Sequence, residues 1–298
     1  MRRPLLLIAA VCAALLAGCG SDGGDGRPTV VATTTQAADL ARGVAGDRAH
    51  VRGILAPNSD PHDYEVRPGD VKALARAELV VRSGGDLDEW LGGAIDSAGA
   101  DAPVVDLLDT VGAEGDDPHW WQDPRRAQAA VETIGAALAK ADPAGASTYE
   151  ANAERSVRRL RALDVAVRRC IAKIPEGERT LVTTHDALGY YARRYGLRVV
   201  GTVIPSLSTQ AQASAGDLAE LVETIRRERV KAIFAESSVN ASVEDAIAQE
   251  TGAHVGAPLW ADALGPEGSS GATYDGSIRA NTAAIVEGLT GGTCSFPR

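Results

Sequence analysis

The chain has 298 residues, 45% of them hydrophobic and 23% charged, enough for two domains of ordinary size. Forty acids against thirty Lys and Arg give a net charge of −10, and with no basic stripe this argues against nucleic acid as a partner. The same balance is compatible with a cationic ligand.

Arg2 and Arg3 precede an almost unbroken apolar run over residues 5–16, about the length of a signal-peptide core and too short to span a bilayer. The run ends in Leu16-Ala17-Gly18-Cys19, which resembles the bacterial lipobox. Residues 1–18 are therefore expected to be a lipoprotein signal peptide, with Cys19 acylated as the first mature residue. Their loss removes two arginines and no acid, moving the net charge from −10 to −12. Residues 19–27 read as a flexible Gly/Asp tether, so the mature chain is expected at the extracytoplasmic face of the cell membrane, held by its lipid anchor. Of the four cysteines, Cys12 leaves with the signal. Cys170 and Cys294 remain as thiols in an oxidising compartment, where a disulfide is the default expectation.

Strand and helix then alternate. The β-branched run 29–34 (TVVATT) predicts a strand, 36–44 a helix and 50–55 a second strand. Asp70 is read as the cap of a helix over 71–77, followed by a strand at 78–82, a helix at 87–98, a strand at 103–107 and a helix at 124–141 opening on Pro124. Residues 147–174 contain no Gly and no Pro, and Val157, Leu160, Leu163, Val167 and Ile171 recur at helical steps. They predict one continuous helix about 40 Å long. Beyond it, strands are predicted at 180–184, 198–204, 230–235 and 257–261, and helices at 187–195, 214–229, 243–251 and 274–289, with Ser214-x-x-Asp217 as a capping box. This is an α/β fold of two parallel-sheet lobes, 28–145 and 175–298, joined by the linker helix 146–174.

Three of the five histidines stand in turns directly after predicted strands: His62 in NSDPHDYE, His119 in DPHWWQDP and His185 in TTHDALGY. Ligands of open α/β sheets gather beyond the carboxyl ends of strands, and imidazole is the commonest ligand of transition metals. Three imidazoles with one carboxylate suit Zn²⁺. The residues alone do not choose that carboxylate, since Asp262, Glu236 and Asp106 each follow a predicted strand.

The segments PHDYEVRPGDVKALARAELVVRSG (61–84), DPHWWQDP (117–124), THDALGYYARRYGL (184–197) and LWADALGPEGSSGATYDGSIRAN (259–281) resemble the solute-binding proteins of zinc/manganese ABC importers. The resemblance runs from about residue 28 to residue 289. It implies a metal held in the cleft between the lobes by His62, His119, His185 and Asp262. It also implies an ABC permease and its ATPase as partners, with a metallochaperone as a candidate supplier. Manganese members often carry a carboxylate at the third ligand position, where this chain has His185, so one Zn²⁺ per chain is expected and Mn²⁺ is the alternative. The chain departs from many zinc members in lacking a long His-rich loop before DPHWW; Glu114-Gly115-Asp116-Asp117 stands there instead.

Glu65, Asp123 and Asp186 are candidates either for orienting the imidazoles or for serving as cap or turn residues. Glu236 is read as a structural residue after its strand, with a competing carboxylate near the metal as the alternative, and its loss should change affinity only slightly. His50 and His254 are expected at the surface, and Trp120 and Trp121 either in the core or walling the site from water. A zinc hydrolase is the catalytic alternative, opposed by the absence of HExxH and by a fourth ligand from protein, so the chain is not expected to be an enzyme. A metal-dependent adhesin is the interaction alternative. The expected functional unit is a monomer.

Overall fold

β-branched and aliphatic runs buried on both faces form the centre of each sheet. In a computed structural model describing residues 26–296, β1 (Thr29–Ala32) has Val30, Val31 and Ala32 fully buried, and β5 (Thr180–Thr183) is buried along its length, as expected of parallel strands covered by helices. The expected signal peptide 1–18, Cys19 and most of the expected tether lie outside the described residues.

β1 leads through α1 (Thr35–Ala45) to β2 (His50–Gly53). Then come α2 (Pro68–Leu74), β3 (Leu79–Arg82), α3 (Leu91–Ala98), β4 (Val104–Asp106) and α4 (Pro124–Ala141). All pairings are parallel, in the order β2-β1-β3-β4. After α5 (Ala146–Ile171), β5 is followed by α6 (Gly189–Tyr195), β6 (Arg198–Thr202), α7 (Ala215–Glu228), β7 (Ala232–Phe234), α8 (Ser242–Thr251), β8 (His254–Val255) and α9 (Tyr274–Thr290). The second sheet repeats the first topology, β6-β5-β7-β8. In each, the order reverses beside the first strand, opening a crevice at the carboxyl ends.

Caps fix where several helices start. Thr34 accepts from the Ala37 N–H before α1 and Asp123 from the Arg125 N–H before α4, while Ser214 and Asp217 form a reciprocal capping box on α7. Asp70 differs from its sequence reading: α2 starts at Pro68, and Asp70 sits in the first turn accepting from the Arg67 N–H. The last strand differs too. Residues 257–261 do not form a ladder, because Pro258 has no N–H to donate. A two-residue β8 precedes it, and a single bridge joins Glu236 to Leu259.

The 26 residues of α5 span about 39 Å and pack on both halves of the molecule. Toward the first sheet, Asn152 Nδ2 donates to the Val44 carbonyl at 2.8 Å. Gly135 of α4 lets the two helices close, since a Cβ there would lie 3.0 Å from the Ala153 Cβ. Toward the second, Asp164 takes hydrogen bonds from Arg194 and the Tyr195 hydroxyl. One buried cluster runs from Val30 through Leu160 and Leu163 to Leu289, so the lobes share a core as well as a linker. Cys170, at the end of α5, is disulfide-bonded to Cys294, with Cα atoms 5.7 Å apart.

Candidate metal centre

Two copies of the tripeptide Asp-Pro-His build the first-lobe side of the site. After β2, Asp60 Oδ1 accepts from the His62 N–H at 2.9 Å. After β4, Asp117 Oδ1 accepts from the His119 N–H at 3.0 Å. Each aspartate fixes a tight turn through its own side chain, and the proline between limits the backbone to one entry angle. From the second lobe, His185 follows β5, and Asp262 follows the Leu259 bridge. The Asp262 turn is hung from the first lobe: Trp121 Nε1 and Gln122 Nε2 both donate to the Ala261 carbonyl, at 2.9 and 2.8 Å.

The structure brings His62, His119, His185 and Asp262 together, with one potential donor atom from each lying within 4.8 Å of all the others. Asp262 Oδ2 is 3.5 Å from His62 Nε2 and 3.2 Å from His185 Nε2, and its Oδ1 is 3.5 Å from His119 Nε2. The Nε2 atoms of His119 and His185 are 3.3 Å apart. These separations match the edge of a tetrahedron with bonds of about 2.0–2.1 Å, the Zn–N and Zn–O range. The four side chains are at most 2% exposed. His62 Nε2 and both Asp262 carboxylate oxygens are buried without a hydrogen bond, and such convergent orphan atoms fit a cation.

The outer ring nitrogens explain the direction of the inner ones. His119 Nδ1 is 2.8 Å from Asp117 Oδ1, and His185 Nδ1 is 2.5 Å from Glu236 Oε1. With carboxylates as acceptors, both Nδ1 atoms carry the proton in the neutral rings, so both Nε2 lone pairs point inward. Among the protein groups alone, burial opposes charge on His185, but Asp262 and Glu236 outweigh it and push the imidazole up to about 11. Burial likewise works against the Asp262 charge, and the histidines overcome it, holding the carboxyl well below its usual range. Burial pushes Glu236 up, against the lowering by His185.

The remaining candidates fall elsewhere. Asp123 caps α4 and faces Arg194, with burial raising its carboxyl, and Glu65 is exposed. The Asp186 N–H bonds the Ser206 carbonyl. His50 and His254 are exposed. The partners that do touch imidazoles are Asp117 and Glu236. Asp117 carried a local signal, since it precedes His119 by two residues as Asp60 precedes His62. Glu236 is 51 residues from His185, and its place after a predicted strand did not tie it to that histidine. Both tryptophans are buried. Trp120 donates to the Ser83 carbonyl, and Trp121 packs edge-on to His119 with ring centroids 5.4 Å apart.

A second cross-lobe contact lies above Asp117. The Tyr190 hydroxyl donates to the Asp117 carbonyl and accepts from the Glu114 N–H, while Arg126 and Arg193 cover its ring from the two lobes. Arg193 also pairs with Glu114 at 3.0 Å.

Two matched α/β lobes on one long helix, closing three imidazoles and a carboxylate out of water, define a binding protein for a divalent metal ion. The chain belongs to the family described as ZnuA, zinc-uptake complex component A, periplasmic, whose model matches residues 30–288. It is thus a metal-binding substrate-binding protein of the ABC-transporter type. It is 34% identical to the manganese-binding lipoprotein MntA of Bacillus subtilis, over 97% of this chain and all of that one. It is 33% identical to the zinc-binding protein TroA of Treponema pallidum, over 89% of this chain and 90% of that protein. The solved structure of periplasmic TroA superposes with a TM-score of 0.82 at 31% identity, covering 89% of this chain and 99% of that one.

Proposed function

We propose that this chain captures a single Zn²⁺ outside the cytoplasm and delivers it to an ABC permease driven by its ATPase. The observation that carries the reading is the donor set. Three imidazole nitrogens and one carboxylate meet at tetrahedral spacing in a buried cleft. Nitrogen donors favour metals late in the divalent series, and an all-oxygen or carboxylate-rich set would favour Mn²⁺. His62 and His119 come from the first lobe and His185 and Asp262 from the second, so the cargo ion cross-links the two. With all four positions supplied by protein, no open position is left for a reactive water, which speaks for carriage over hydrolysis. Acylation at Cys19 would keep the protein beside its permease, and the relative MntA is named a lipoprotein.

Manganese is the second reading, favoured by the 34% identity to a manganese-binding relative. Isothermal titration of the mature chain with each ion against a chelator separates the two. The expected result is one Zn²⁺ per chain, held more tightly than Mn²⁺. Equal affinities, or a stoichiometry well above one, would overturn the zinc assignment.

A further inference from the structure

Glu236 ends the second sheet's central crevice, just beyond β7, and is 4% exposed. Its Oε1 accepts from two donors of one residue, His185 Nδ1 at 2.5 Å and the His185 N–H at 3.2 Å. Its Oε2 is buried with no hydrogen-bond partner. A buried carboxylate in this state is costly to the fold. Asp88, a buried carboxylate with a structural role, shows the contrast. It takes both Arg82 and the Thr33 hydroxyl, together with the backbone N–H groups of Ser83 and Gly84. Among the described residues, Glu236 pairs with no arginine or lysine, and His185 is its one hydrogen-bonded side chain.

We propose that Glu236 is a positioning residue that sets the metal preference of the site, by fixing the ring and tautomer of His185 so that Nε2 presents its lone pair to the ion. This rests on the metal-carrier reading above. Two bonds to one oxygen fix both the backbone and the ring of His185, a tighter constraint than either alone. With its Nδ1–H donated outward, the imidazole becomes a stronger σ-donor at Nε2. The negative charge of a third-position carboxylate is thereby kept near the ion, while the atom that touches the ion is nitrogen. That combination favours Zn²⁺, and a carboxylate oxygen in direct contact would favour Mn²⁺. A glutamine at 236 keeps the volume but removes the charge, and its amide can present an N–H to Nδ1 and stabilise the wrong tautomer.

The test compares the mature parent chain with Glu236→Gln. Chelator competition gives the Zn²⁺ and Mn²⁺ affinities, Co²⁺ substitution gives a visible absorption spectrum, and thermal melting of the metal-free proteins reports on the fold. Zinc affinity should fall about 10- to 100-fold, the range for lost outer partners of metal-bound histidines. Manganese affinity should fall less, the Co²⁺ ligand-field bands should shift, and the metal-free melting temperature should not drop. An unchanged zinc affinity and Co²⁺ spectrum would overturn the proposal. So would equal losses for both ions with a lowered metal-free melting temperature, the pattern of a merely structural residue. If the parent itself fails to bind zinc, the metal-carrier reading is what fails.

Discussion

At the scale of single residues, the three histidines were legible because each stands in a turn after a strand, where parallel sheets place their ligands. Asp262 was not legible from its own surroundings, since aspartates in turns are common and Glu236 likewise stands just beyond a strand. What distinguishes it is the pair of cross-lobe bonds on the Ala261 carbonyl, which no local pattern encodes. His185→Ala and Asp262→Asn should each lower zinc affinity by more than about 100-fold, exceeding the usual effect of an outer partner. His254→Ala, at an exposed position, should match the parent in the same titration. Retention of parental affinity by His185→Ala would remove it from the ligand set. The pH dependence has a definite sign. Burial lowers the folded His185 pKa, but Asp262 and Glu236 outweigh it and raise it to about 11, which favours a proton on the ring that an incoming ion must displace. Zinc affinity should rise with pH from 6 to 8, by about tenfold per unit for each proton displaced. Competition titrations at three pH values would expose a flat profile, which contradicts this account.

At the scale of elements, the linker helix was the clearest feature of the sequence, a Gly- and Pro-free run with a single apolar stripe. The structure starts it at Ala146 and ends it at Ile171, short of the expected 174. The strand expected at 257–261 is replaced by a two-residue β8 and one bridge. Its apolar residues suggested a ladder, whereas Pro258 allows only the Leu259 bridge. That interruption frees the chain to turn and bring Asp262 inward. The end of α5 is tied to the tail beyond α9 by the Cys170–Cys294 bridge, across a separation of 124 residues. The chain-entropy model gives closures of that length about 4–5 kcal/mol as an upper expectation. Cys294→Ser should therefore lower the melting temperature by several degrees while leaving zinc stoichiometry at one, as calorimetry and titration would show. An unchanged melting temperature would mean that the bridge contributes nothing to stability.

At the scale of the whole molecule, the sequence conveyed two lobes but not how closely they are joined. Periodicity shows which residues are apolar, and it cannot show that Val30, Leu163 and Leu289 enter one continuous core. Cross-lobe bonds add to it: Leu264 N–H to the Thr35 hydroxyl, Tyr274 N–H to Asp39, and the Tyr274 hydroxyl to the Trp121 carbonyl. Opening the cleft widely would break these bonds and expose shared core. Zinc loading should accordingly move the backbone by no more than about 1 Å, the scale of motion in pre-organised binding, and leave the radius of gyration unchanged. X-ray scattering of metal-free and loaded protein would reveal a larger closure if one occurs.

The disulfide has a topological consequence as well as an energetic one. Backbone and sulfur together close β5 to β8, with their helices, into a macrocycle that has one exit at Cys170 and another at Cys294. A protease cut inside the ring linearises it but releases no fragment, and the pieces separate only after reduction. A cut in the first lobe, which lies outside the ring, has no such safeguard. Tension applied between the two chain ends enters the ring at Cys170 and leaves it at Cys294 through the sulfur bridge, so the backbone between them is not drawn out. The second lobe can therefore be nicked without being shed, and the chain can be pulled between its two ends without that lobe being threaded apart.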